Sequence, residues 1–186
     1  MSKLCLSHNQ LNGSVPESIG QLVKLETLDI SSNSLGGTFS ERNLANLSSL
    51  LELVISSNHL ICKMRSDWMP PFSIRFIKMA SCRIGPQFPQ WIHTQKEISQ
   101  LDLSNANISG NLPTLPQTIH NLDLSSNQIS GSLPTDIAES MYFLVALFLG
   151  NNMLNGSIPN SLCQHQGMQV LDLSNNKLSG EIPNCW

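Results

Sequence analysis

Charged side chains make up only 12% of this chain of 186 residues, and aromatic ones only 5%. Charges so few, summing to a formal −3, set up no basic field and exclude binding of nucleic acid or anionic lipid by bulk charge. No stretch approaches the roughly 18–20 apolar residues that span a bilayer. Met1-Ser2-Lys3-Leu4 also lacks the apolar core of a secretory leader. The chain as written carries neither address nor anchor, and no direct membrane insertion by this segment is expected. His8, His59, His93, His120 and His165 never fall at metal-ligand spacing, and no glycine-rich phosphate loop occurs. The expectation is a protein that is not an enzyme and needs no metal or cofactor. Leu, Ser, Asn, Gly and Pro are abundant instead, which points to a backbone-rich, turn-rich architecture rather than a helical bundle.

That composition is periodic. Segments spelled Leu-x-x-Leu-x-Leu-x-x-Asn start at residues 1, 25, 50, 74, 98, 119, 144 and 168, the last incomplete. A period of this length with this spelling is the leucine-rich repeat signature. Position 4 of the repeat (Leu4, Leu28, Leu53, Ile77, Leu101, Leu122, Leu147, Leu171) is apolar throughout, and so is position 6, from Leu6 and Ile30 to Leu149 and Leu173. Such alternation is the period-two pattern of a short strand with one buried face, and stacking the coils would gather the strands into one parallel sheet. Position 9 is Asn in six repeats, and an inward amide there can satisfy backbone groups where the chain leaves the strand. Gly at position 13 and Pro at position 16 recur in most repeats and predict two turns per coil. Apolar residues beyond the proline, such as Trp91 and Ile92 or Ile137 and Met141, are expected to face inward, and Trp186 falls in the same slot. The predicted fold is an α/β repeat solenoid spanning 1–186 as one array without caps. It is a curved superhelix with the parallel sheet on its concave face and short helical or irregular segments on its convex face.

The Leu-x-Gly-x-Ile-Pro spelling of Leu154–Pro159 and Leu178–Pro183 resembles the plant-specific leucine-rich repeat of receptor kinases, receptor-like proteins and polygalacturonase inhibitors. Asp67-Trp68-Met69-Pro70-Pro71-Phe72, the stretch Ser81–Trp91 with Gln95, and the ending Ile182–Trp186 are similar to receptor-like proteins of the tomato xylanase-receptor and apple scab-resistance type. The resemblance implies an ectodomain at the extracellular face of the plasma membrane, held by one transmembrane helix. It further implies defence signalling through a kinase co-receptor. The signal peptide, the N-terminal cysteine cap, the C-terminal cap, the transmembrane helix and the tail of that pattern have no counterpart here, so the chain reads as an internal ectodomain fragment or a truncated gene product.

The residues that break the repeat's polar outward face are the candidate binding surface. Asp29, Asp102, Asp123 and Asp172 share position 5, but Leu-Asp-Leu-Ser is this repeat's common spelling, and Val54, Lys78 and Phe148 interrupt the row. Leu51, Glu52 and Val54 in repeat 3, Arg75, Phe76 and Lys78 in repeat 4, and Val145 and Phe148 in repeat 7 form apolar and charged clusters of the kind found in interface anchors. The alternative is mere degeneracy of the repeat, since repeat 3 has Cys62 and Arg65 in place of its Gly and Pro and repeat 2 has Ser40 for Pro. A protein, peptide or glycan ligand would suit the surface, whereas a secreted inhibitor of the polygalacturonase-inhibitor kind would spread charges and aromatics over most strands. A truncated fragment without function is the remaining reading. Asn-x-Ser sequons at Asn12, Asn46, Asn107 and Asn155 suit an extracellular parent, with Asn12, Asn107 and Asn155 expected outside the strand. Of the five cysteines, Cys163 and Cys185 lie 22 residues apart in consecutive coils and are the pair whose stacking suits a disulfide, with buried free thiols as the alternative.

Overall fold

The computed structural model describes residues 1–185, and the inward slot expected for Trp186 lies outside them. Each coil contributes one short strand: Lys3–Cys5, Thr27–Asp29, Glu52–Val54, Phe76–Lys78, Gln100–Asp102, Asn121–Asp123, Ala146–Phe148 and Val170–Asp172. These eight strands pair in chain order as a single parallel sheet. The register never slips, so Leu28 lies between Leu4 and Leu53, and Leu122 between Leu101 and Leu147. The reason is the alternation itself, since a shift of one residue would turn the whole apolar column to solvent. In coils 2 to 7 the residues at positions 4 and 6 are at most 3% exposed. Each such Leu or Ile contributes about 1.5–3 kcal/mol through burial, but only when a neighbouring coil lies against it, so the coils stabilise one another.

The strand exits are built from polar side chains. The carboxylates of Asp29 and Asp102 each accept from the backbone N–H and the hydroxyl of the serine two residues on, at 2.7–3.0 Å. Asp123 and Asp172 accept the matching N–H from Ser125 and Ser174 at 2.9 Å. The Leu-Asp-Leu-Ser spelling is therefore a strand-exit clasp. At the next position, His8, Ser32, Ser57, Ser81, Asn105, Ser126, Asn151 and Asn175 all have φ between 52° and 60°. Small polar residues, Asn above all, enter the left-handed region more readily than branched ones, where a local hydrogen bond offsets part of the strain. The following Asn closes the bend. Asn127 donates to the carbonyls of Leu124 and Ser125 and of Leu103 in the preceding coil, and accepts from the N–H groups of Ala106 and Ile108.

Two turns at fixed places were expected beyond this point, and there the structure differs. The segment around the Gly column is extended and forms a second parallel layer, in two pieces. Asn12–Ser14, Ser34–Ser40 and His59–Lys63 make one piece. Ser109–Asn111, Gln128–Ser132, Met153–Gly156 and Lys177–Leu178 make the other. Glycines with positive φ such as Gly37 and Gly131 sit within these strands rather than between them. Coil 4 interrupts the layer with only an isolated bridge, Ile61 to Arg83. Pro86 stands there in the Gly column and has no N–H to give, while a Cβ on the preceding Gly85 would overlap the Asn107 carbonyl. Coil 2 runs furthest, to Ser40, where most coils have proline. Ser40 then caps the helical turn Glu41–Leu44, its hydroxyl accepting from Arg42 N–H at 3.3 Å and its N–H donating to Asn43 Oδ1 at 2.9 Å.

The convex side carries short helical turns at Glu17–Gln21, Glu41–Leu44, Gln90–Thr94, Ile137–Ser140 and Asn160–Gln164. The irregular stretch of coil 3 returns Trp68 and Phe72 to the core, where they meet Trp91 edge to face at centroid distances of 5.5–6.3 Å.

Candidate functional site

On the outward face of the long sheet, Glu52 pairs with Phe76 and Val54 with Lys78 across adjacent strands. Leu51 and Arg75 precede those strands, joined by the Arg75 N–H donating to the Leu51 carbonyl at 2.9 Å. The structure thus brings six of the candidate residues together, four on two neighbouring strands and two at the residues that lead into them. Leu51, Arg75 and Lys78 are exposed, and Glu52, Val54 and Phe76 are half-buried. Arg75 reaches Glu97 at 3.5 Å, an exposed pair that a ligand carboxylate can replace at little loss. Lys78 makes no ion pair among the described residues, although Asp102 is its strand partner.

Phe148 does not join this cluster. Three strand spacings, about 14 Å, separate it from Phe76, and its partners are Asp123 and Asp172. It is a second, isolated apolar point between two carboxylates.

The aspartate row has a structural use, because one oxygen of each carboxylate accepts from the serine at its strand exit. Partial burial pushes the Asp29 carboxyl up. The Ser31 hydroxyl and N–H, the Ser7 hydroxyl and the His8 charge together outweigh that and hold it below the ordinary carboxylate value. The Ser174 hydroxyl and N–H hold Asp172 low in the same way. Among the described residues no cluster of three or more His, Cys, Asp or Glu side chains is arranged to hold a metal ion.

Asn12, Asn46, Asn107 and Asn155 are all exposed. As expected, Asn12, Asn107 and Asn155 lie outside the strands of the long sheet, but Asn12 and Asn155 fall in strands of the second layer that the repeat pattern did not predict. Cys163 and Cys185 are bonded, with Cα atoms 5.7 Å apart. Cys62 and Cys82 are buried free thiols, and Cys5 is exposed.

Sequence reasoning missed an aromatic cluster at the entry edge of the long sheet. Phe143 stacks on His120 at 5.9 Å and meets Tyr142 edge-on at 5.3 Å, with Tyr142 71% and Phe143 52% exposed. Two adjacent aromatics directly before the Leu144 start, in a chain so poor in them, were the available signal.

A stack of short parallel strands with asparagine-closed bends and a second layer on its flank is a plant-type leucine-rich repeat solenoid. The Leucine Rich Repeat family model matches residues 1–22, 24–47, 118–140, 143–165 and 167–186, more than half of the chain, and the chain belongs to that family. It is similar to Receptor-like protein EIX2 of Solanum lycopersicum, 39% identical over 74% of this chain and 11% of that protein. It also resembles Receptor-like protein 13 of Arabidopsis thaliana, 31% identical over 93% of this chain and 21% of that one. The chain therefore spans only a small part of the relatives it matches. Among solved structures, the ectodomain of the Arabidopsis receptor kinase HAESA in complex with an N-terminally extended IDA peptide hormone ligand superposes with a TM-score of 0.86. The two are 31% identical over 96% of this chain and 30% of that one. HAESA in complex with IDA and the co-receptor SERK1 gives a TM-score of 0.76 at 28% identity, over 96% of this chain and 30% of that chain. No helix among the described residues is long and apolar enough to cross a membrane.

Proposed function

We propose that this chain is a non-catalytic recognition segment of a plant cell-surface receptor-like protein in defence signalling. Its long sheet takes a protein, peptide or glycan ligand on the extracellular side and works beside a kinase co-receptor. The observation that carries the reading is the two-strand patch, where Phe76, Val54 and Leu51 supply apolar area and Arg75, Lys78 and Glu52 surround it with charge. An extended peptide fits this arrangement best, because a row of alternating side chains can set an apolar group on Phe76 and a carboxylate against Lys78. The peptide held by HAESA supports the peptide class, and the tomato receptor-like relatives support the cell-surface setting.

The test is Phe76→Ala with Lys78→Ala in a receptor carrying this segment. Truncating an interface hot spot loses about 2 kcal/mol or more, close to thirtyfold in affinity. Asn121→Ala with Ser125→Ala, on the same sheet away from the patch, is the control and should change affinity less than twofold. Equal losses from both pairs, or no loss from the first, would reduce the patch to a repeat irregularity.

A further inference from the structure

On the helical side of the solenoid a cavity of about 410 Å³ opens between the turns Ile137–Ser140 and Asn160–Gln164, bordered by Glu139, Tyr142, Ser161, Gln164, His165 and Gly167. Its size lies within the roughly 300–1,000 Å³ of small-molecule sites. Tyr142 is the only tyrosine of the chain and holds its ring 71% exposed at the rim, braced edge-on by Phe143.

Two buried polar atoms on this wall have no partner among the described residues, Ser161 Oγ and His165 Nδ1. The other imidazole nitrogen, Nε2, lies 3.1 Å from the Met141 carbonyl, which can only accept. The proton of the neutral ring is thereby assigned to Nε2, and Nδ1 is left as an acceptor. A buried acceptor and a buried hydroxyl without partners are costly unless something supplies them. Gly167 lies over the same ring. A Cβ there would sit 3.3 Å from His165 Cε1 and 3.7 Å from Nδ1. Its φ is outside the left-handed region, so the backbone does not require glycine, and the missing side chain leaves the ring edge uncrowded.

We propose that this cavity is a second binding site, for a neutral sugar ring, independent of the strand patch. A sugar hydroxyl both donates and accepts, so the hydroxyls of one ring can serve an acceptor such as His165 Nδ1 and a hydroxyl such as Ser161 Oγ alike, and the apolar face of a pyranose lies against the Tyr142 ring. Gln164 offers an amide to a further hydroxyl. Glu139 faces the same space and no Lys or Arg borders it among the described residues, which disfavours an acidic sugar. An apolar ligand would leave both orphaned atoms unpaired.

The test is calorimetric titration of the full-length chain with cellohexaose and with mannohexaose, and with hexagalacturonate as the anionic comparison. Native and enzymatically deglycosylated protein separate a free oligosaccharide from the chain's own N-glycan as the occupant. The expected result is saturable binding of a neutral oligosaccharide, to both preparations if the occupant is free and only to the deglycosylated one if it is the chain's own glycan. Tyr142→Ala should weaken it at least tenfold, Gly167→Leu should abolish it, and Phe76→Ala with Lys78→Ala should leave it unchanged. Tyr142 is exposed, so its removal leaves the fold intact. The proposal is overturned by silence from both neutral sugars at millimolar concentration in both preparations, by equal binding of hexagalacturonate, or by full affinity in Tyr142→Ala.

Discussion

Asn58 donates through Nδ2 to the carbonyl of Ile30 in the preceding coil at 3.0 Å, and to the Ile55 carbonyl of its own coil at 3.1 Å. Its Oδ1 accepts from the Leu35 N–H at 3.0 Å. One side chain thus closes its own bend and ties two coils together in a buried setting. Asn58→Ala strips partners from a buried N–H and two carbonyls, and each orphaned group costs about 1–3 kcal/mol before relaxation or water entry. The expected loss is about 2–3 kcal/mol in urea unfolding. A change below about 0.5 kcal/mol, the usual range for surface substitutions, would mean that the bends hold without the amide.

The asparagine column was legible in the sequence because a buried amide has few other uses in a strand-exit bend. The long sheet was legible for a similar reason, since Leu4, Leu28 and their successors leave a single register that buries them all. The second layer was not. Its strands are held by backbone hydrogen bonds between coils, and side chains such as Asn12, Gly13 and Ser14 are exposed and carry no alternation. The Gly column therefore predicts a turn where the chain is extended. The left-handed residues at position 8 were within reach, because Ser and Asn fill seven of the eight places. Of the candidate surface, register alone placed Phe76 beside Glu52 and set Phe148 apart. The cavity at Tyr142 and His165 depends on how two convex turns pack, which no periodicity encodes.

Acid should weaken the fold through Asp29 and Asp172. Both carboxyls are held below their ordinary value near 3.8 in the folded chain. A group whose folded pKa is depressed adds stability that is fully present above the unfolded pKa and is lost as pH falls through the folded one. The urea midpoint should therefore drop as pH is lowered from about 5 to about 2. Asp29→Asn with Asp172→Asn should flatten that drop, since the amide oxygen still accepts from Ser31 and Ser174 without titrating. An unchanged slope in the double variant would place the acid sensitivity elsewhere.

The bridge between Cys163 and Cys185 ties the last two coils across a separation of 22 residues. Closing a loop of that length removes about 3 kcal/mol of chain entropy from the unfolded state. Reduction, or Cys163→Ser, should lower the stability of the C-terminal coils by about that amount in hydrogen exchange, with coils 2 to 4 little affected. Peptide mapping of secreted protein without reductant should recover the linked pair. Alkylation of both thiols under those conditions would remove the bridge from the folded protein.

Glycans on Asn12, Asn46, Asn107 and Asn155 would leave the recognition face open, because none of the four is in a strand of the long sheet. Asn12 and Asn155 project from the second layer, Asn46 follows the helical turn Glu41–Leu44, and Asn107 lies in the bend beyond Leu103. All four side chains are exposed, yet they differ in one respect. Asn107 has φ 60°, and its Oδ1 accepts from Gln128 Nε2 at 2.8 Å, so in the folded chain its amide is held while the others are free to turn. If the transferring enzyme meets partly folded chain, all four sites fill. If it meets the folded coil, Asn107 lags. Glycopeptide mass spectrometry of secreted protein should find Asn12, Asn46 and Asn155 occupied, and Gln128→Ala should raise occupancy of Asn107 where that site is incomplete. Removing the glycans enzymatically should leave affinity at the Phe76 patch within twofold. Empty sites throughout a secreted preparation, or a large change in patch affinity on deglycosylation, would contradict this placement of the sugars.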